Sequence, residues 1–203
     1  MVQDALASRL LAAAASRAGA AGAEWLALAA RRRDGDVAPL FAAASRRVGR
    51  APLRLSAEET EALGQAGLGW STAGWGADDA ARAGLLLARA KLLAAGRLAA
   101  LVEDLYRLGG LRERESLMRA LPLLPQPGRF CALARAAARS ETPPLVQAIG
   151  CDNPFPGVHF PEEALRQLAL RVEALGLPSS RVLGFERRRA LALETLLGAG
   201  AAP

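Results

Sequence analysis

Histidine, a residue often used for acid–base and metal chemistry, occurs once in the sequence, as His159. One histidine without further ligands at metal-binding spacing predicts neither a catalytic triad nor a histidine metal site. A single histidine can still act as a general base, so His159 is a candidate catalytic residue. The alternative is a ring packed in a connector between helices. Cys131 and Cys151 have no CxxC spacing and predict no disulfide framework, and no metal or other cofactor is expected.

Residues 150–161 form the least generic segment of the chain, with three prolines and two phenylalanines in an alanine-rich background. The prolines restrict its backbone, and Asp and Asn side chains can hydrogen bond within their own turn. We interpret this segment as non-helical and as one wall of a small-molecule or partner-docking site. A core plug without a ligand is the alternative. The candidate binding residues, in and just beyond this segment, are Asp152, Asn153, Phe155, His159, Phe160, Gln167 and Arg171.

A glycine-rich loop over residues 67–76 carries Trp70 and Trp75. It is not followed by Gly-Lys-Ser/Thr and no strand is predicted before it, so it does not match a phosphate-binding loop. The simpler interpretation is that the two indoles close the end of a helical stack. Trp70 and Trp75 are secondary site candidates, together with Arg139.

Carboxylates occur in adjacent pairs, among them Asp78 and Asp79. Most of these pairs fall at expected helix N-termini, where capping and the helix dipole explain them. Neighbouring side chains on a helix point about 100° apart. We therefore predict that such pairs do not share one site.

Composition predicts the elements that position these residues. Alanine and leucine supply 47 and 36 of the 203 residues, whereas Val, Ile and Thr together supply 13. Alanine and leucine are strong helix formers, and the small number of β-branched residues argues against a sheet. We predict an all-α fold of about ten short helices in stacked antiparallel pairs, either solenoid-like or an irregular bundle. Residues 1–203 are expected to form a single domain.

The formal net charge is +6, and Lys91 is the only lysine, so arginine supplies almost all the basic side chains. These arginines are scattered at helical spacing without interleaved aromatic residues, which argues against nucleic-acid binding. No apolar window is long enough to span a membrane, so membrane insertion is not expected. Asp4 and Arg9 make the N-terminus resemble an amphipathic helix rather than a secretion signal, which predicts a cytoplasmic protein.

Several motifs occur in an order that resembles the EboA domain family over most of the chain. In chain order they are Trp75-x-x-Asp78-x-Ala-Ala-Arg82, Arg139-Ser140, Asn153-Pro-Phe-Pro156, His159-Phe-Pro-Glu-Glu-Ala-Leu-Arg-Gln-Leu168 and Leu175-Gly-Leu-Pro178. Leu165, Arg166 and Glu141 stand where the family pattern has an aromatic residue and two asparagines.

The resemblance implies a place in bacterial natural-product pathways, beside a prenyltransferase and other enzymes. Together with the lack of a recognisable group of catalytic residues in the sequence, it favours a non-catalytic accessory protein. Such a protein would dock a partner of the pathway or hold a hydrophobic, isoprenoid-type precursor. The alternative is an enzyme acting on a prenylated or cyclitol-type intermediate, with its pocket around residues 150–171.

Overall fold

Helices make up most of the computed structural model, which describes residues 2–32 and 36–191. Eleven α-helices have both ends within those stretches. In chain order they are α1 Val2–Ala15, α2 Ala20–Arg31, α3 Ala38–Val48, α4 Ala57–Gln65, α5 Ala77–Ala90, α6 Ala95–Leu108, α7 Leu111–Ala120, α8 Cys131–Ala138, α9 Pro143–Gly150, α10 Phe155–His159 and α11 Glu162–Ala174. Residues 185–191 are also helical. No strand occurs in the described stretches, only an isolated bridge between Pro52 and Gly76, so the all-α prediction is confirmed.

The chain divides into two compact units, residues 1–130 and 131–203. In the first unit, α5 is the central helix and packs against α1, α3 and α7. Its alanines and Gly84 keep the surface of α5 small, so neighbouring helices approach closely. A Cβ atom added at Gly84 would lie 2.7 Å from Cγ of Leu11 on α1. The alanine-rich composition therefore produces close helix packing as well as helix formation.

In the second unit, α9 packs against both α8 and α11. Leu168 and Val172 of α11 are buried, and a Cβ atom added at Gly150 would lie 2.9 Å from Cδ1 of Leu168. Glycine at the end of α9 thus lets α11 come close. This contact fixes the position of α11, whose other side chains line the groove described below.

Local signals predict some helix ends correctly. The sequence Ser56-Ala-Glu-Glu59 predicts a capping box, and the structure confirms it at the start of α4. The Glu59 amide donates to Ser56 Oγ at 3.1 Å, and the Ser56 amide donates to Glu59 Oε2 at 2.8 Å. Gly96 predicts that the helix beginning at Ala77 runs to Ala95, but α5 ends at Ala90. Residues 91–94 separate the two helices, and Gly96 lies in the first turn of α6.

The prediction that residues 150–161 are non-helical is wrong in part, because α10 occupies Phe155–His159. Pro154 is the N-cap and Pro156 lies in the first turn. Amide groups at these positions have no hydrogen-bond partner within the helix, so the two prolines, which lack an amide hydrogen, cost the helix no hydrogen bond. The sequence also predicts a final helix over residues 186–197. Residues 185–191 are helical, and the remainder of the predicted helix lies outside the described residues.

Candidate functional site

Asp152 and Asn153 hold the turn between α9 and α10. Asp152 has a positive φ of 54°, its amide donates to the Arg181 carbonyl at 2.8 Å, and its carboxylate accepts from Arg181 Nε at 3.1 Å. The buried Asn153 donates from Nδ2 to the Ala148 carbonyl at 3.0 Å and accepts from the Phe155 amide at 3.0 Å. The polar atoms of both residues therefore bind neighbouring backbone and Arg181.

Phe155 and His159 pack against each other on α10. Their ring centroids are 4.7 Å apart, and the Phe160 ring meets Phe155 edge-on at 6.3 Å. His159 is half-buried, and this burial lowers its pKa because the charged imidazolium is disfavoured away from water. The Cys131 thiol contacts the His159 carbonyl at 3.3 Å. His159 is thus a neutral, packed ring at pH 7.

Four other candidate residues come together in a groove between α8 and α11, with a volume of about 410 Å³. We call it the α8/α11 groove. Its lining includes the predicted residues Arg139, Phe160, Gln167 and Arg171. Asp152, Asn153, Phe155 and His159 are not part of this lining. The remaining lining residues are Arg135, Ala138, Ala164, Leu168 and Leu170.

The polar groups of this groove are cationic or amide groups. Arg171 donates from Nη2 to the Ser140 carbonyl at 2.7 Å and lies 3.5 Å from the carboxylate of exposed Glu141. Gln167 donates from Nε2 to Glu163 at 2.8 Å. Arg135, which sequence reasoning missed, has a buried Nε atom without a hydrogen-bond partner in the described part of the chain. The spacing of Arg135 and Arg139, four residues apart on one helical face, could have revealed it.

Trp70 and Trp75 belong to the first unit, in the loop before α5. Trp75 is buried, and its carbonyl accepts a hydrogen bond from the Leu53 amide at 2.9 Å. Trp70 is half-buried. Neither tryptophan is among the residues that line the α8/α11 groove.

A second polar constellation, which the sequence did not predict, lies where α3, α5 and α7 meet in the first unit. We call it the buried charge cluster, and its members are Ser45, Asp78, Asp79, Arg82, Arg112, Glu115, Ser116 and Arg119. Its three arginines and three carboxylates balance in charge. Asp78, Asp79 and Ser116 are fully buried.

Asp78 and Asp79 share a partner, which corrects the expectation that adjacent carboxylates serve separate sites. Arg112 Nη2 donates to both, at 2.8 Å each. Asp79 also accepts from the Gly76 amide at 2.7 Å and so caps α5 as expected. The arginine reaches both carboxylates because it approaches from α7, and this tertiary contact leaves no trace in helical spacing.

The cluster keeps the carboxyl group of Asp78 ionised. Burial alone would raise the pKa of Asp78, but hydrogen bonds from Arg112 and Ser45 and the charges of Arg112 and Arg82 bring it down to about 2. Arg82 donates to the Phe41 carbonyl at 2.8 Å, to Asp78 at 2.8 Å and to Ser45 at 2.9 Å. Asp78 therefore stays ionised near neutral pH, and its contacts with Ser45 and Arg112 join α5 to α3 and α7.

Within the described stretches, no helix combines the length and apolarity needed to cross a membrane. The same part of the chain contains no group of three His, Cys, Asp or Glu side chains placed to hold a metal ion. A sequence model of the family described as "Metabolite traffic protein EboA" matches residues 27–201, nearly the whole chain. No curated protein and no solved structure matches the chain.

Proposed function

This chain belongs to the EboA family, described as metabolite traffic proteins, and we propose that it holds a hydrophobic small molecule in the α8/α11 groove. The molecule would be an isoprenoid-type precursor of a bacterial natural product, passed on to another protein of the pathway. The groove is the observation that carries the proposal, because its lining combines apolar side chains with polar ones. The match of one family model to both compact units supports treating the chain as one functional domain.

The size of the groove suits a small metabolite. Its volume of about 410 Å³ lies within the range of roughly 300–1,000 Å³ typical of small-molecule sites. Ala138, Phe160, Ala164 and Leu168 give it an apolar floor. Removing hydrocarbon from water against such a surface contributes about 25 cal/mol for each Å² buried. A chain with few polar atoms would therefore gain affinity there without a dense network of hydrogen bonds.

The chemistry of the lining supports a role in holding rather than converting the molecule. No His, Cys, Asp or Glu is among the described residues that line the groove. Arginine stays protonated in proteins and does not serve as a general base, and an amide does not titrate. The lining thus offers hydrophobic contact and hydrogen-bond donors, which are binding functions.

Equilibrium dialysis with radiolabelled farnesol, a neutral isoprenoid alcohol, tests the proposal. We expect saturable binding of one molecule per chain. Ala164→Trp should weaken it about tenfold or more, because the indole would occupy the groove that Ala164 lines. Ala136→Trp is the matched control, since Ala136 is exposed on α8 and does not line the groove.

The control variant should bind farnesol as the unaltered protein does, and circular dichroism should show equal helix content in all three proteins. Absence of saturable binding would contradict the proposal. Equal binding by the Ala164→Trp variant would contradict the location of the site.

A further inference from the structure

All the charged side chains that line the α8/α11 groove are arginines: Arg135, Arg139 and Arg171. Three guanidinium groups on one groove make a strongly positive wall beside an apolar floor. Guanidinium forks match phosphate and carboxylate oxygens well, because two N–H groups can donate side by side. The lining therefore has the two parts that an amphipathic anion would need.

Arg135 and Arg139 lie one helical turn apart, an arrangement that repels like charges. Neither has a carboxylate partner in the part of the chain that the structure describes. The helix dipole favours cations at the C-terminal end of α8 but provides no acceptor for the buried Nε of Arg135. A buried donor without a partner is unfavourable, so a shift of the Arg135 side chain toward an anion in the groove would be favourable.

Arg171 faces the same groove from α11 and is held in place by the Ser140 carbonyl at 2.7 Å. Its nearest carboxylate, Glu141, is 3.5 Å away and 95% exposed, so this pair contributes little. A guanidinium has several N–H donors, and only one nitrogen of Arg171 is used by Ser140. Arg171 can therefore donate to a ligand without giving up the contact that orients it.

We infer that the molecule held in the α8/α11 groove is a phosphate or diphosphate ester of a hydrophobic alcohol. The phosphate groups would lie against Arg135, Arg139 and Arg171, with the hydrocarbon over Phe160 and Leu168. Three guanidinium groups exceed what a single carboxylate can balance, which favours the more highly charged head group. This inference rests on the proposed function and specifies the ligand class of the same site.

Equilibrium dialysis with farnesyl diphosphate, farnesoic acid and farnesol separates the contribution of the head group from that of the hydrocarbon. We expect farnesyl diphosphate to bind about tenfold or more tightly than farnesol, because charge-assisted hydrogen bonds exceed neutral ones. Its affinity should fall as the salt concentration rises, whereas that of farnesol should not. Farnesoic acid should bind more weakly than the diphosphate.

The double variant Arg135→Gln/Arg139→Gln should lose the preference for the diphosphate and keep its affinity for farnesol. Arg139→Gln alone should lose part of that preference with little effect on folding, because Arg139 is exposed. Arg166→Gln is the matched control, because Arg166 is exposed on α11, pairs with Glu163 and does not line the groove. It should bind all three ligands as the unaltered protein does.

Equal binding of farnesol and farnesyl diphosphate would overturn this inference and leave the proposed function standing. Binding of farnesoic acid as tight as that of the diphosphate would overturn the assignment of a phosphate head group. Failure of all three ligands to bind would refute the inference and the proposed function together. Retention of the diphosphate preference by the double variant would overturn the role of the arginines.

Discussion

Replacing Arg82 with methionine tests whether the buried charge cluster holds the first unit together. Arg82 is 1% exposed and makes four side-chain hydrogen bonds, to Phe41, Asp78, Ser45 and Ser116. Methionine keeps much of the hydrocarbon of the arginine side chain. It removes the donor of all four hydrogen bonds and leaves the cluster with one excess negative charge. Removing one partner of a buried ion pair costs about 3–5 kcal/mol.

Urea denaturation followed by tryptophan fluorescence measures this loss, because all three tryptophans lie in the first unit. With a slope of about 2 kcal/mol per molar urea, the midpoint should fall by roughly 1.5–2.5 M. Arg107→Met is the control, since the Arg107–Asp104 pair is solvent-exposed and contributes about 0–1 kcal/mol. A loss below about 1 kcal/mol for Arg82→Met, or equal losses for both variants, would refute the reasoning.

The pKa of Asp78, about 2 in the folded protein against a usual 3.8, means that its stabilising contribution is present above about pH 4 and lost as pH falls through 2. This contribution amounts to about 2 kcal/mol. The free energy of unfolding of Asp78→Asn should therefore fall less steeply as the pH is lowered, and an unchanged pH dependence would contradict this. Gly84→Ala should destabilise by about 1–3 kcal/mol, because the added Cβ would meet Leu11 at 2.7 Å. Gly64 is an exposed helical position with open space around it, so Gly64→Ala should be neutral or stabilise the protein by up to about 1 kcal/mol in thermal unfolding. Equal changes in stability for Gly84→Ala and Gly64→Ala would refute the packing argument. The single histidine gives an unambiguous NMR titration, in which His159 should show a pKa below 6.5 because burial disfavours its charged form, and a value above 6.5 would contradict that burial.

Local chemistry made much of the fold predictable. The Ser56–Glu59 capping box and the proline at the start of α9 are readable because their partners lie within one helical turn. The end of α5 at Ala90 is not readable from the sequence, because no glycine or proline marks residues 91–94. A helix end without a breaking residue is determined by tertiary packing, which a single sequence does not display.

The polar sites also divide into residues that the sequence predicts and residues that it does not. The sequence predicts Arg139, Gln167 and Arg171 as site residues, and these three line one groove. It does not predict Arg135, although this residue stands four positions before Arg139. The sequence does not predict the buried charge cluster, because Arg112 follows Asp78 by 34 positions and reaches it through tertiary contact. A local signal did exist, since Asp78 and Arg82 are a charged i, i+4 pair on a helix made mostly of alanine and leucine.

Photoaffinity labelling with a farnesol analogue that carries a diazirine tests most directly whether the α8/α11 groove is the binding site. After irradiation and proteolysis, mass spectrometry locates the labelled residues. We predict labels concentrated on α8 and α11, within residues 131–174, competed by excess farnesol and greatly reduced by Ala164→Trp. Labels spread over the chain, or concentrated in the first unit and insensitive to Ala164→Trp, would contradict the proposed site.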